Sequence, residues 1–403
     1  MNVTAPAPAR NLWWCVLASA VLLALRKPWA LHTPQFWAED GSIFMVQDEQ
    51  LGLRAFLEPY NGYLHLLPRA IAWIASHTAD VAWWPAIYNA LAYLASVAVF
   101  ARLASRRVAL PAKPGLMLAF VLVVGTGEAL INVTNLQWFV AFFLILHLFL
   151  APPATPVQRA SDVAILLFVG LNGPFAAVLC PLYAWRAWRT RHCDDLLALG
   201  VIGACALIQG SFLLRAGLSI NSIAEPFRPL MFFSILGSRL VTWTLFGPAA
   251  VRGGAIWVHA VVGTTAILGL LVWSLRADPR RPIRALIATA FVLLTAACAF
   301  RVRADTWQDD NLVNGDRYFY ISRVLLAWLL VLECDAGPRL VAWLARGLCL
   351  SGVLLHVPHF ILPAPRDYQW AKHCDPIRRG VPANLSTLPE GWWIEYPGRP
   401  AQP

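Results

Sequence analysis

The stretch 254-GAIWVHAVVGTTAILGLLVW-273 contains no Asp, Glu, Lys or Arg. A run of about 20 apolar residues is long enough to cross the hydrocarbon core of a bilayer as a helix. Similar runs recur along the chain, which is 59% hydrophobic and only 13% charged. An average soluble domain carries about 25% charged residues, so this chain has too few polar side chains to cover a water-exposed surface. We therefore expect an integral membrane protein, an all-α polytopic transmembrane helix bundle.

The net charge of +10 is concentrated in short clusters between the apolar runs, at 102–113, 186–191 and 276–284. Basic loops of multispanning proteins are retained in the cytoplasm, so the clusters predict the topology. This placement explains the basic balance of the chain without a nucleic-acid partner. The eight cysteines show no CxxC spacing, which argues against a disulfide framework or a zinc site.

With every strongly basic loop inside, the chain forms about eleven crossings in a single integral membrane domain, 1–403. The first helix is expected to be an uncleaved span, since no cleavage site follows it. Three polar segments then lie outside: the first outer loop 28–80, the loop 301–320 and the C-terminal tail 357–403. Arg26 and Lys27 also lie outside and count against this arrangement.

Segments 46–76 and 229–247 are left over in this topology. We assign both to the outer interface, as amphipathic interfacial helices. Two further segments, 116–151 and 162–188, are predicted to be short helical hairpins. The first breaks at 126-TGEALINVTNLQ-137 and the second at 172-NGP-174.

The densest polar segment is in the first outer loop, 36-FWAEDGSIF-44 followed by 58-EPYNGYLHLLPR-69. Glu39 and Asp40 stand beside Gly41, which permits a tight turn. Carboxylates in such a place can act as a general base or hold a divalent cation. A solvated acidic loop is an equally good explanation of this pair.

Glu128 lies in an almost wholly apolar hairpin, with Asn135, Gln137 and Trp138 nearby. An ionisable residue at membrane depth costs about 2.5–3.5 kcal/mol on insertion scales, so it usually faces a cavity or a partner. The alternative is a residue at a helix end, level with the lipid headgroups.

Arg301, Arg303 and Arg317 lie in or beside the outer loop 301–320, next to Tyr318. Arginines on the outer face oppose the usual charge bias, and their guanidinium groups bind phosphate in two-point geometry. Contact with lipid headgroups is the alternative.

The chain resembles the GT-C class of multispanning glycosyltransferases of the bacterial type. The resemblance rests on the acidic motif Glu39–Asp40 soon after the first helix, followed by interfacial helices and a many-helix bundle. Short segments at 62–69 (GYLHLLPR), 132–138 (NVTNLQW) and 315–318 (GDRY) resemble those of bacterial membrane proteins of this general type.

The resemblance implies transfer of a sugar from a polyprenyl-phosphate donor to a surface glycan, lipid or protein, in cell-envelope polysaccharide synthesis. The active face would be the periplasmic side of the inner membrane. Asp40 would be the catalytic carboxylate, with Glu39 as the alternate, and Asp40→Asn would remove turnover with little loss of stability. Some relatives hold a divalent cation at this motif and others do not.

The resemblance and the outer placement together nominate the remaining site residues. The donor phosphate is expected to be held by Arg69, Arg301, Arg303, Arg317 and Tyr318. The sugar and acceptor are expected to contact Tyr60, Asn61, Tyr63, His65, Glu128, Asn135, Gln137 and Trp138.

Two other functional classes remain open. A transporter or flippase of a lipid-linked sugar or small solute would place its polar site near the membrane midplane, often with broken helices and inverted repeats. The broken hairpin 162–188 fits such a protein, whereas the sequence shows no internal repeat. A non-catalytic membrane scaffold is the third class.

Overall fold

Apolar helices dominate the computed structural model, which describes residues 10–216, 228–301 and 315–399. Within these ranges six helices are long and apolar enough to cross a bilayer. They are Val81–Ala104, Cys193–Arg215, Pro229–Phe246, Ile256–Ser274, Arg281–Cys298 and Arg339–His359. The prediction of a membrane-spanning helix bundle is confirmed at this level, whereas the number of about eleven crossings is not.

The longer helices are numbered here in chain order. They are α1 (Arg10–Arg26), α2 (Leu66–Thr78), α3 (Trp84–Ala104), α4 (Lys113–Leu122), α5 (Leu136–His147), α6 (Pro156–Gly170), α7 (Phe175–Thr190), α8 (Cys193–Arg215), α9 (Pro229–Phe246), α10 (Ile256–Ser274), α11 (Arg281–Arg301), α12 (Arg317–Ala336) and α13 (Arg339–His356).

Short helical turns connect these elements. They are Trp29–His32, Asp40–Met45, Val46–Leu51, Gly52–Leu57, Val81–Trp83, Pro248–Gly253, Val357–His359, Trp370–His373 and Asp375–Arg379. Helices α9 and α10 each contain a π-helical turn, at Gly237–Thr242 and His259–Gly263.

Both predicted hairpins occur as pairs of helices that end near the predicted breaks. Helix α4 has 10 residues and α5 has 12, so neither matches the roughly 20 residues of a full crossing. Every residue of α5 is buried. Residues 123–135 join α4 to α5 without regular structure, and we call them the buried loop.

The expectation of a purely helical protein is wrong in the C-terminal tail. Strands β1 (Ala383–Thr387) and β2 (Trp392–Tyr396) pair antiparallel, with Ala383 opposite Tyr396. Beyond β1, Leu388 forms a bridge with Trp37 of the first loop. The hairpin is outside the apolar spans, where alternating exposed and buried residues favour a strand over a helix.

Helix α9 differs from its predicted place at the interface, since its length and composition allow a crossing and more than half of it is buried. Gly237 in α9 packs directly against Gly263 in α10, and a Cβ at Gly237 would overlap the carbonyl oxygen of His259. Small residues allow such close approach of two helix backbones in a membrane.

The polar residues separate to the two ends of the bundle. At one end, the basic end, Asp162 pairs with Arg102 and Arg107, while Glu333 pairs with Arg284. The other end, the loop end, gathers the first loop, the buried loop, residues 171–174, the start of α12 and the tail. The described parts of the segments that the sequence assigns to the outer face therefore meet at a single end of the bundle, while residues 302–314 lie outside the described ranges.

We expect the loop end to face the periplasm, because the basic loops lie at the opposite end. Alkaline phosphatase fused after Asp40 or Gly391 is expected to be active in cells, whereas fusions after Arg106 or Arg280 are expected to be silent. An active fusion at Arg280 together with a silent fusion at Asp40 would invert the topology.

Candidate functional site

The buried loop (residues 123–135) is irregular backbone enclosed by the bundle. Unpaired backbone groups at membrane depth are costly, and they are tolerated only where protein or water satisfies them. Here charged side chains from distant segments supply the partners. Cations bind the carbonyl oxygens and carboxylates bind the amides.

Lys27, at the end of α1, holds the middle of the buried loop. Its Nζ is 2.6 Å from the carbonyl oxygen of Leu130 and 3.4 Å from that of Gly127. The ammonium also lies 4.8 Å from the ring centroids of Trp29 and Trp37. These contacts explain how a lysine is buried at this place.

Two arginines hold the start of the buried loop. The guanidinium of Arg26 donates to the carbonyls of Val121 and Gly125, and that of Arg323 lies 3.1 Å from the carbonyl oxygen of Val124. The contacts of Arg26 and Lys27 account for the two basic residues that stood against the predicted topology.

Two carboxylates bind the amides of the same loop. Asp40 accepts from the backbone N–H of Val133 (3.3 Å) and of Thr134 (2.6 Å), and from the Thr134 hydroxyl (2.6 Å). Asp316 accepts from the backbone N–H of Thr126 (2.8 Å) and pairs with Arg323 (2.6 Å).

Asp40 is therefore an anchor for the buried loop. Its side chain has no exposed surface, and both of its oxygens accept hydrogen bonds. Burial raises the pKa of this carboxyl to about 6, although the bonds from Val133 and Thr134 oppose the shift. Above that pH the ionised group holds the loop from both oxygens. Its neighbour Glu39 is only half-buried and accepts from the Tyr60 hydroxyl at 2.9 Å.

Glu128 and Arg317, nominated separately from the sequence, form an ion pair at the start of α12. The backbone N–H of Arg317 also donates to Glu128 Oε2 at 3.2 Å. Tyr318 lies under the guanidinium, 5.1 Å away, and packs edge-to-face against Trp138. The structure thus brings four of the predicted site residues together.

The other predicted aromatics form a second group in the first loop. Asn61 and Gly62 both have positive φ, at 53° and 83°, and form the turn that pairs Tyr60 with Tyr63. The imidazole of His65 packs 4.6 Å from the ring of Tyr63. Burial lowers the pKa of His65 to about 3, so this side chain is neutral at physiological pH.

The segment 171–174 connects the two groups. The backbone of Leu64 accepts from the N–H of Gly173 at 3.1 Å, and His65 forms a bridge with Asn172. Gly173 packs so closely against Gln137 that a Cβ at this position would overlap Gln137 Oε1. A chain of contacts therefore runs from the first loop through Gly173 to Gln137, which adjoins Trp138.

Several buried polar atoms along this chain have no hydrogen-bond partner within the described part of the protein. They are both ring nitrogens of His65, both side-chain polar atoms of Asn172, Asn135 Nδ2, Gln137 Oε1 and Trp138 Nε1. Buried polar atoms are nearly always hydrogen-bonded, to protein or to water. A water molecule or a hydroxyl group of a polar ligand would supply the partners that these groups have not found.

The predicted phosphate-binding arginines do not form one cluster. Arg69 is buried in the first loop, where it donates to the carbonyl of Glu58 at 3.1 Å and lies 5.1 Å over the ring of Phe44. Arg317 contacts Glu128 instead. The side chain of Arg301 and the whole of Arg303 lie outside the described residues.

A cavity of about 360 Å³ opens beside the buried loop. Its walls are mostly apolar, from residues 122–126, 243–252 and 353–363, and Arg26, Arg252 and His359 add positive or protonatable groups. Within the described ranges, Arg26 Nε and Arg323 Nη2 have no hydrogen-bond acceptor, and both guanidinium groups lie close to Gly125.

The two adjacent acids of the first loop do not assemble a metal site. Both Asp40 oxygens are bound to the buried loop, and no third His, Cys, Asp or Glu joins the pair among the described residues. The single group of three such ligands in the described ranges is His192–Asp194 at the basic end, where Arg159 already pairs with Asp194 at 2.6 Å.

Sequence reasoning missed several residues that shape this site: Arg26, Lys27, Asn172, Asp316 and Arg323. Charged residues within or at the ends of apolar segments were the available signal, because such residues usually have a partner or face a cavity. Arg323 is one example, since it interrupts the apolar run that begins at Ile321.

No protein-family model, curated protein or solved structure matches this chain. The function must therefore be argued from the chemistry of the loop end.

Asp40→Asn is expected to destabilise the protein, contrary to the expectation from sequence. The new amide group would place an N–H₂ against the N–H of Val133 or of Thr134, and an unsatisfied buried donor costs about 1–3 kcal/mol. Thermal unfolding in detergent should show a lowered midpoint for Asp40→Asn and a nearly unchanged one for Glu39→Gln. Equal midpoints for Asp40→Asn and the wild type would show that Asp40 does not anchor the loop.

Proposed function

We propose that this protein is a membrane glycosyltransferase that moves a sugar from a polyprenyl-phosphate donor to a glycan, lipid or protein acceptor. The reaction would take place at the loop end, on the outer face of the bacterial inner membrane. One observation carries the proposal: a mostly apolar cavity lies beside two buried arginines that have unused N–H donors.

The cavity suits a lipid phosphate better than a soluble anion. Its apolar walls match a polyprenyl chain, whereas Arg26 at one side offers a charge-assisted hydrogen bond to phosphate. In a reaction that releases a lipid phosphate, positive charge fixed in advance stabilises the leaving group as its negative charge develops. Arg26 and Arg252, which line this cavity, and Arg323, which lies behind Gly125, replace Arg69 as the cations near the proposed phosphate.

The sugar and the acceptor would contact the groups between Tyr60 and Trp138. Aromatic rings offer apolar faces to sugar rings, and the unpartnered atoms of His65, Asn172 and Gln137 offer donors and acceptors for hydroxyl groups. The buried loop connects the two parts, because Gly125 and Thr126 line the cavity while Asn135 belongs to the polar group.

The geometry changes the expected roles of the acids. Asp40 is a positioning residue, since its oxygens are occupied by the buried loop. Glu39 and Glu128 are the carboxylates of the site that retain some exposed surface. A general base must reach the proton of the acceptor hydroxyl, so Glu39 and Glu128 are the candidates for this role.

A transporter of a lipid-linked sugar remains the second candidate. The observation in its favour is the irregular loop between the two short helices α4 and α5, which resembles the discontinuous helices of secondary transporters. A transporter would move the donor without breaking its sugar–phosphate bond. Sugar transfer by the purified protein therefore separates the two functions.

The decisive experiment is transfer of radiolabelled sugar from polyprenyl-phosphate donors by the purified protein in detergent. Val353→Trp should reduce transfer at least about tenfold, because the half-buried Val353 lines the cavity and an indole would fill space needed by the lipid. Leu354→Trp is the matched control, since the neighbouring Leu354 is 62% exposed on the same helix.

Equal sugar transfer by the two tryptophan variants would show that the cavity does not bind the donor. Lipid movement by the reconstituted protein, without any sugar transfer from the donors tested, would favour the transporter.

A further inference from the structure

The ion pair between Glu128 and Arg317 differs from the other pair at the centre of the loop end. Asp316 and Arg323 are both nearly fully buried, and each also binds backbone of the buried loop. The side chains of Glu128 and Arg317 retain 14% and 32% of their exposure, respectively. The Arg317 guanidinium contacts one oxygen of the Glu128 carboxylate and the ring of Tyr318, while the Arg317 backbone N–H donates to the other oxygen at 3.2 Å.

The pair lies next to the proposed donor site. Glu128 follows Gly125 and Thr126, which line the cavity, by only a few residues. Arg317 follows Asp316, whose carboxylate accepts from the Thr126 backbone at 2.8 Å. Glu128 and Arg317 lie behind the part of the cavity wall that Gly125 and Thr126 form, so a phosphate bound at this wall would be near a guanidinium that a carboxylate now occupies.

A guanidinium binds a carboxylate and a phosphate with the same two-point geometry. The two anions therefore compete for Arg317. A carboxylate that loses its cationic partner in apolar surroundings becomes a stronger base. Binding of the phosphate and activation of the carboxylate are then a single event.

We propose that the donor phosphate displaces Glu128 from Arg317, and that the released Glu128 accepts the proton of the acceptor hydroxyl. This inference rests on the proposed function. The acceptor oxygen forms a bond to the anomeric carbon as the bond from that carbon to the phosphate oxygen breaks. The proton passes to Glu128, and the departing lipid phosphate keeps the bonding electrons, with its charge held by Arg317.

Competition between Glu128 and the lipid phosphate for Arg317 predicts that substitutions of Glu128 and of Arg317 have opposite effects on lipid binding. Glu128→Gln removes the competing anion, so undecaprenyl phosphate should bind about fivefold more tightly, which corresponds to about 1 kcal/mol. Turnover of the same variant should fall about 10²- to 10⁴-fold, because the general base is lost.

Arg317→Ala should weaken binding of undecaprenyl phosphate, and Arg317→Lys should restore part of it, since an ammonium replaces the charge but not the fork. Glu49→Gln is the matched control. Glu49 forms an ion pair with Arg399 at 3.0 Å, at the same end but in the tail contact. Both binding and turnover of that variant should equal those of the wild type.

The measurements are titration of the purified full-length protein with undecaprenyl phosphate, followed by native mass spectrometry, and the radiolabelled transfer assay. Thermal unfolding checks that each variant is folded. If Glu128→Gln does not fold, Glu128→Asp serves instead. The shorter acid keeps the charge but pairs less well, so lipid binding should tighten while part of the turnover remains.

Weaker lipid binding in both Glu128→Gln and Arg317→Ala would overturn the exchange and make the pair a structural contact. Wild-type turnover in Glu128→Gln would overturn its role as the base. If the wild type binds the lipid phosphate but transfers no sugar, the proposed function fails, while the order of binding among the variants still decides the exchange at Arg317.

Discussion

The backbone of residues 123–135 is the feature on which the loop end depends, because an irregular segment inside a membrane bundle must find a partner for each polar group. Neither α4 nor α5 is long enough to cross the membrane alone, and most of the loop between them is buried in the bundle. Its carbonyls are bound by Arg26, Lys27 and Arg323, and its amides are bound by Asp40 and Asp316. Positively charged side chains thus face the backbone carbonyl oxygens, and carboxylates face the backbone N–H groups.

This matching divides the polar residues of the loop end into two sets. The oxygens of Asp40 are bound by the buried loop, and those of Asp316 by the loop and by Arg323, so substitution of either acid affects the fold first. His65, Asn172 and Gln137 have atoms that the described protein does not satisfy. Arg26 belongs to both sets, because it binds the carbonyls of Val121 at the end of α4 and of Gly125 in the loop, lines the cavity, and has an Nε without a partner in the described protein. A single arginine can therefore connect the stability of the loop to the binding of a phosphate.

Much of the bundle could be predicted from sequence, because apolar length and basic loops are local signals. The breaks at 126–137 and 172–174 were also predicted, because polar residues, glycine or proline interrupt the apolar runs there. The partners of the buried loop were not, since Asp40 meets Thr134 across 94 residues and Arg323 meets Val124 across 199. The β-hairpin of the tail was missed because its alternating pattern is short. Helix α9 was assigned to the interface because its segment was left over in the predicted topology, whereas its length and composition allow a crossing.

The two adjacent acids of the first loop show why local spacing does not assign a catalytic carboxylate. Consecutive residues of a helical turn point in different directions, so Asp40 enters the buried loop while Glu39 meets Tyr60. The carboxylate with a partly exposed partner is instead Glu128, within the loop that Asp40 anchors. A charge at Asp40 can then influence the reaction from a distance, by holding the backbone on which Glu128 and the cavity wall are carried. Asp40 would then be required for activity although both of its oxygens are held by the buried loop.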